Sequence, residues 1–348
     1  MIIAVALLLA CSGPDDTDGP PPNPKETGTS TVDTASDTGT TTETGSATTA
    51  TGHTGDATAS TGHTGLEDAI DCAALPPTPL AAGLVPGARA YHGLVITDAG
   101  TLVGTDGNNL LEADGYGATT VLRPGTGSME QLDMLSDGTI VGVKNNGDIV
   151  AFYPSGGTAV LASIPSAYGI RVGPDDNVYV ADWSRILRVD PNAGSVELWY
   201  DGGNPFKPKV LDFNVDFTKM YVGSINAGGK VYVIDLDANY DPIGDATLFA
   251  TTPGSWHDGL VVDICSNVYV AEYTHRAMYR ISPGGVVSTL FDPVDGSKYG
   301  HGVIFGEAVG PFSETALYIP QPYNGSTVAY VEIGVPYRTY TGPVVNAP

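Results

Sequence analysis

Past residue 75 the apolar residues come in short alternating runs, each closed by Gly, Pro, Asn or Asp. Alternation at period two marks strands with one buried face, and turn residues between them mark hairpins. No stretch there shows sustained helical spacing with caps, and with 45 Gly and 26 Pro in the chain long helices are disfavoured. The runs also repeat. "NVYVADW" at 177–183 and "NVYVAEY" at 267–273 are near copies 90 residues apart, and half that spacing recovers six related strands anchored at Leu102, Ile140, Tyr179, Tyr221, Tyr269 and Tyr318. Their separations are 38, 39, 42, 48 and 49 residues. Each anchor strand has an apolar run before it and a second short strand after it, and most repeats close on a further run such as "SVELWY" or "VVSTLF". A sandwich accounts for the strands but not for the period. The pattern predicts an all-β fold, a six-bladed β-propeller over residues 69–348.

In a propeller the innermost strand of each blade starts at one face of the disc, so the residues just before it ring the channel. Counting back ten to twelve residues from the first five anchors reaches His92, Glu130, Tyr168, Lys209 and Asp258, and in blade six His301 stands before "VIFG" as Asp258 stands before "LVVD". Four of these six are followed by Gly, which lets the chain turn tightly and lets backbones approach near a crowded axis. Two imidazoles, two carboxylates, a lysine and a phenol at one mouth must be paired, solvated or wrapped around a ligand, because dry and unpaired they are costly. Carboxylates with imidazoles suit one divalent ion, calcium through oxygen or zinc and manganese through nitrogen. The alternative is a solvated channel lining of hydrogen-bonded polar groups.

The first 68 residues differ in kind. "MIIAVALLLAC" (1–11) resembles a lipoprotein signal: its apolar run is too short to span a bilayer, and Cys11 stands at the lipidation position. Residues 12–68 are rich in Thr, Gly, Ser and Asp, with "TGHTG" twice, and bury too little to order themselves, which predicts a disordered tether. The formal charge of −24 argues against nucleic acid and anionic lipid surfaces as partners. The expected localisation is export, either anchored to a bacterial membrane through Cys11 alone or secreted. With Cys11 lipidated, Cys72 and Cys265 are the only intramolecular pair, and an exported compartment permits their bond. Such a bond would pin "DCAALPPTPL" to the turn inside blade five.

"HDGLVVDICSNVYVAEYTHRAMYRISPGG", with the fainter "YGIRVGPDDNVYVAD" and "DFNVDFTKMYVGS", resembles the calcium-dependent six-bladed propellers of the senescence marker protein, gluconolactonase and luciferin-regenerating enzyme family. The resemblance implies a metal-assisted lactone or ester hydrolase. Asp258 matches that family's metal-binding Asp in its Asp-Gly context, whereas His92 stands where a Glu is usual and Tyr168 and Lys209 stand where Asn-Gly is usual. In such an enzyme Asp258, Glu130, His92 and His301 are the metal ligands, with Asp258, Glu130 and His301 as the catalytic set. Tyr168 and Lys209 then contact substrate and its developing oxyanion. The rival expectation is a non-catalytic propeller that binds a small molecule, a cell-surface glycan or a protein, its metal site degenerate. "DLDANYD" (235–241) spaces acidic residues as a calcium loop does, but Tyr240 replaces the required Gly, so a tight hairpin is expected there. Serine-hydrolase and zinc-protease motifs are absent from the sequence.

Overall fold

The computed structural model describes residues 69–348 apart from 204–205, 292–299, 323–324 and 340. The signal segment, Cys11 and the 12–68 tether therefore lie outside the described residues. Six four-stranded antiparallel sheets follow one another along the chain, and no helix occurs among the described residues. The inner strands are Leu94–Ile96, Met129–Met134, Ala167–Val172, Pro208–Phe213, His257–Val262 and Ile304–Phe305, one in each of blades one to six. Apolar residues of neighbouring blades interlock. Tyr179 and Trp199 of blade three meet Phe213 and Met220 of blade four, while Val261 and Tyr269 of blade five meet Phe305 and Leu317 of blade six. Each such side chain, fully buried, contributes about 2–3 kcal/mol.

The near copies at 177–183 and 267–273 encode the same turn. Asp175 Oδ2 accepts from the Asn177 amide at 2.7 Å and from the Tyr179 hydroxyl at 3.0 Å, and Asp263 Oδ2 accepts from Asn267 at 2.8 Å and Tyr269 at 2.9 Å. The turn requires a left-handed residue, supplied by Asp176 (φ 62°) and Ser266 (φ 60°). "DLDANYD" is the expected hairpin: Asp237 Oδ1 accepts the Asn239 and Asp241 backbone N–H groups at 2.8 and 3.0 Å, which ties it to its own turn.

One element departs from expectation. Blade six draws only three strands from its own stretch of chain; its outermost strand is Ala81–Arg89, from ahead of blade one, paired antiparallel with Thr327–Glu332. The ring is thus closed by hydrogen bonds between the two ends of the domain. A second closure lies at the face opposite the inner-strand starts. Ile70–Asp71 pairs in parallel with Val344–Val345, and Cys72 is bonded to Cys265 in the turn of blade five with Cα atoms 5.4 Å apart. At that face the tail places Arg338 on Asp212, which also takes Arg171 Nε at 3.0 Å. A cavity of about 160 Å³ remains beside them, lined by inner-strand ends and by Glu307, Tyr337 and Arg338.

Candidate functional site

In blades two to five the strand pairing slips by one residue where the inner strand begins. The slips fall between Met129 and Gln131, Ala167 and Ile170, Pro208 and Val210, and His257 and Gly259. Glu130, Tyr168, Lys209 and Asp258 are the residues at these bulges, and a bulge re-aims a side chain that regular pleating would send elsewhere. After Tyr168 and Asp258 the following residue must be Gly: a Cβ on Gly169 would sit 2.2 Å from the Lys209 carbonyl oxygen, and one on Gly259 2.5 Å from the Gly302 carbonyl carbon. The next blade's backbone occupies that space.

All six ring residues belong to one network. His92 Nδ1 lies 2.6 Å from Glu130 Oε2, and His301 Nδ1 lies 2.6 Å from Asp258 Oδ2. The two imidazoles stack with centroids 4.4 Å apart and planes 8° apart. Asp258 Oδ1 accepts from the Tyr168 hydroxyl at 2.8 Å and pairs with the Lys209 ammonium. That ammonium sits 3.9 Å from the centre of the Tyr168 ring and 4.4 Å from that of Trp256. Depth separates the groups. The side chains of Lys209 and Asp258 are 1% and 2% exposed, whereas those of His92 and Glu130, at 15% and 13%, reach the mouth.

Burial pushes the Asp258 carboxyl upward, but Lys209 and His301 outweigh it and hold the group well below the usual range, so it is ionised. Burial likewise lowers His301 from its ordinary value against the pull of Asp258, and lowers Lys209 against the same pull. The Tyr168 hydroxyl is pushed well above its usual value by burial and by the Asp258 charge.

A carboxylate only accepts, so each imidazole turns its Nδ1–H toward its carboxylate, and in the neutral ring Nε2 carries the lone pair. Among the described residues no hydrogen bond engages His92 Nε2, while Glu130 fixes the ring. The four residues expected as metal ligands are adjacent, but they pair off as two carboxylate–imidazole dyads. Asp258 has Lys209 and Tyr168 on one oxygen and His301 beside the other, and Glu130 is engaged by His92. Among the described residues no group of three or more His, Cys, Asp or Glu is arranged to hold a metal ion, and this donor set does not fit one. Lys209 and Tyr168, expected on the substrate, have their donors on Asp258 instead.

Sequence reasoning passed over the aromatic surround. Tyr91 stands 4.7 Å from His92, and Tyr273 lies 4.9 Å from His301 and 5.4 Å from Trp256, by ring centroids. The buried Glu272 carboxylate accepts the Ser255 and Trp256 N–H groups at 3.0 and 2.9 Å and so fixes the loop that covers Lys209. A signal was available, because Tyr91 and Trp256 stand within two positions of ring residues in "AYHG" and "SWHDG". His257 was also missed. It is fully buried, accepts the Ser224 N–H on Nδ1 at 3.1 Å, and lies 2.7 Å through Nε2 from Thr252 Oγ1.

No protein-family model matches the chain, and neither does any curated protein. Solved structures do. A gluconolactonase from Xanthomonas campestris superposes with a TM-score of 0.61 at 15% identity, over 73% of this chain and 89% of its own. A calcium-binding regucalcin from Agrobacterium tumefaciens gives 0.60 at 17% identity, over 79% and 99%. A catalytically inactive histidine-to-alanine variant of Staphylococcus aureus virginiamycin B lyase, with quinupristin, gives 0.53 at 15% identity, over 72% and 99%. At these identities the likeness establishes the fold: a six-bladed propeller of the shape that the gluconolactonase and regucalcin share.

Proposed function

We propose that the channel mouth cleaves a lactone or a related cyclic ester by general-base hydrolysis, with His92 as the base. The observation that carries this reading is the Glu130–His92 dyad, held at 2.6 Å and partly exposed, with no hydrogen bond on Nε2 among the described residues. His92 Nε2 takes a proton from water as the water oxygen bonds to the acyl carbon. When the ring C–O bond breaks, the departing alkoxide takes that proton back from Nε2. Glu130 holds the ring's orientation and stabilises the imidazolium between the two events, the role a carboxylate has behind any catalytic imidazole. His301 is buried, so the partly exposed His92 is the imidazole of the two that reaches the mouth. Asp258, Lys209 and Tyr168 act as positioning residues beneath the Glu130–His92 dyad.

The gluconolactonase among the similar structures acts on the proposed class of substrate, and the lyase variant ties activity on a related scaffold to a histidine. The Cys72–Cys265 bond supports export to an oxidising compartment, with anchoring through Cys11 as part of the same proposal. A second reading, a binding propeller for a flat-faced small molecule or glycan, is favoured by Trp183, which is 45% exposed on a loop of the mouth face. The test is acid release from a panel of γ- and δ-lactones and cyclic depsipeptides. His92→Gln and Glu130→Gln should each lower kcat about 10²-fold or more with the fold intact. Saturable binding without turnover by the wild type would leave the binding reading in its place.

A further inference from the structure

We infer that the Lys209 ammonium is a built-in cation, standing where a divalent ion would otherwise organise Asp258, so that the mouth is assembled without metal. This rests on the geometry and not on the hydrolytic reading. Lys209 is the residue at the bulge in the inner strand of blade four, and its Nζ reaches across to Oδ1 of Asp258 in blade five, where the Tyr168 hydroxyl from blade three also bonds. One ammonium thus links the inner strands of adjacent blades through a carboxylate that is 2% exposed, as a shared metal would. Its remaining faces are solvated by aromatic rings rather than water, at 3.9 Å from Tyr168 and 4.4 Å from Trp256, an arrangement that attracts a cation whatever its identity.

The oxygen atoms that would hold a cation at Asp258 are already taken. Both oxygens of Asp258 face donors, Glu130 is engaged by His92, and both imidazoles point Nδ1 at carboxylates. A divalent ion at Asp258 would also meet a fixed positive charge at contact distance, with twice the repulsion of a monovalent one. The substitution changes the chemistry as well as the assembly: an ammonium that is 1% exposed and bonded to Asp258 does not reach a carbonyl oxygen, so Lys209 does not polarise a ligand at this mouth.

The experiment uses the full chain purified without chelator. Elemental analysis should find substoichiometric metal, and millimolar calcium, manganese or EDTA should move the unfolding midpoint by no more than about 1 °C, since a ligand stabilises only if it binds the folded state. Lys209→Ala should lower the midpoint, and calcium or ethylammonium should raise that variant by about 2–4 °C while leaving the wild type unmoved. A wild type that carries one metal per chain, or that calcium stabilises by several degrees, overturns the inference. So does a folded Lys209→Ala that no cation raises. If the variant fails to fold, the wild-type measurements decide alone. Lack of turnover on lactones would remove the proposed hydrolysis and leave this inference standing.

Discussion

Replacing His257 by Gln should remove a proton-linked weakness of the fold on the acid side. The imidazole is fully buried, and Nδ1 accepts the Ser224 N–H, so the neutral Nε2–H form is the one the site holds. Burial, with the Lys209 charge adding to it and Glu272 and Asp258 opposing, lowers its pKa from 6.5 to about 4. The folded state therefore refuses a proton that the unfolded chain accepts. Stability is unaffected above the unfolded value, then falls by up to about 1.4 kcal/mol per pH unit as pH drops from 6.5 toward 4, about 3 kcal/mol in all. Between pH 7 and pH 5 the loss is about 2 kcal/mol, a shift of about 0.6 M in the urea midpoint for a slope near 3 kcal/mol/M. Asp258, held well below its usual range, stays ionised across this window and adds nothing to the difference. Urea titrations followed by tryptophan fluorescence at pH 7, 6 and 5 measure it. His257→Gln should be the less stable protein at pH 7, having lost a fitted ring, yet should lose about 0.6 M less of its midpoint by pH 5. Parallel pH dependence in the two proteins would refute the reasoning.

Cys72→Ser with Cys265→Ser should cost up to about 5 kcal/mol, because the bond closes a loop of 193 residues in the unfolded chain; denaturant unfolding measures the cost, and non-reduced peptide mapping shows the bond itself. Gly169→Ala should lower stability by about 1–3 kcal/mol by pressing on the Lys209 carbonyl, and a thermal midpoint equal to that of the wild type would show that the blades are not in the contact described.

The period of the fold was legible because Tyr179 and Tyr269 repeat a local device, a turn whose Asp, Asn and Tyr bond to one another within six residues. The ring was legible for a related reason. Each inner strand starts at the same face of its blade, so equivalent residues come to one mouth, and the count needed only the turn lengths between them. What stayed hidden depends on partners far apart in sequence. "AAGLVPGAR" looks like any outer strand, and nothing local says that it closes blade six and not blade one. Arg338 meets Asp212 from 126 residues away. Lys209 reads as a channel residue facing substrate until the fold lays Tyr168 and Trp256 over it and turns its ammonium onto Asp258. The pairing of the expected metal ligands was hidden for the same reason: the count of positions names His92, Glu130, Asp258 and His301, but which carboxylate meets which imidazole is a property of the assembled mouth.

The chain enters and leaves the propeller on a single face. Ile70–Asp71 lies beside Val344–Val345, and Cys72 is fastened to the blade-five turn at the end of the inner strand opposite Asp258. Direction follows from this. Anything joined to the protein ahead of Ala69 attaches at its back, while His92 and Glu130 open at the front, separated by the full length of the inner strands. A fusion made at Ala69 would therefore join the propeller at the face away from His92 and Glu130. The protein has a built-in heading.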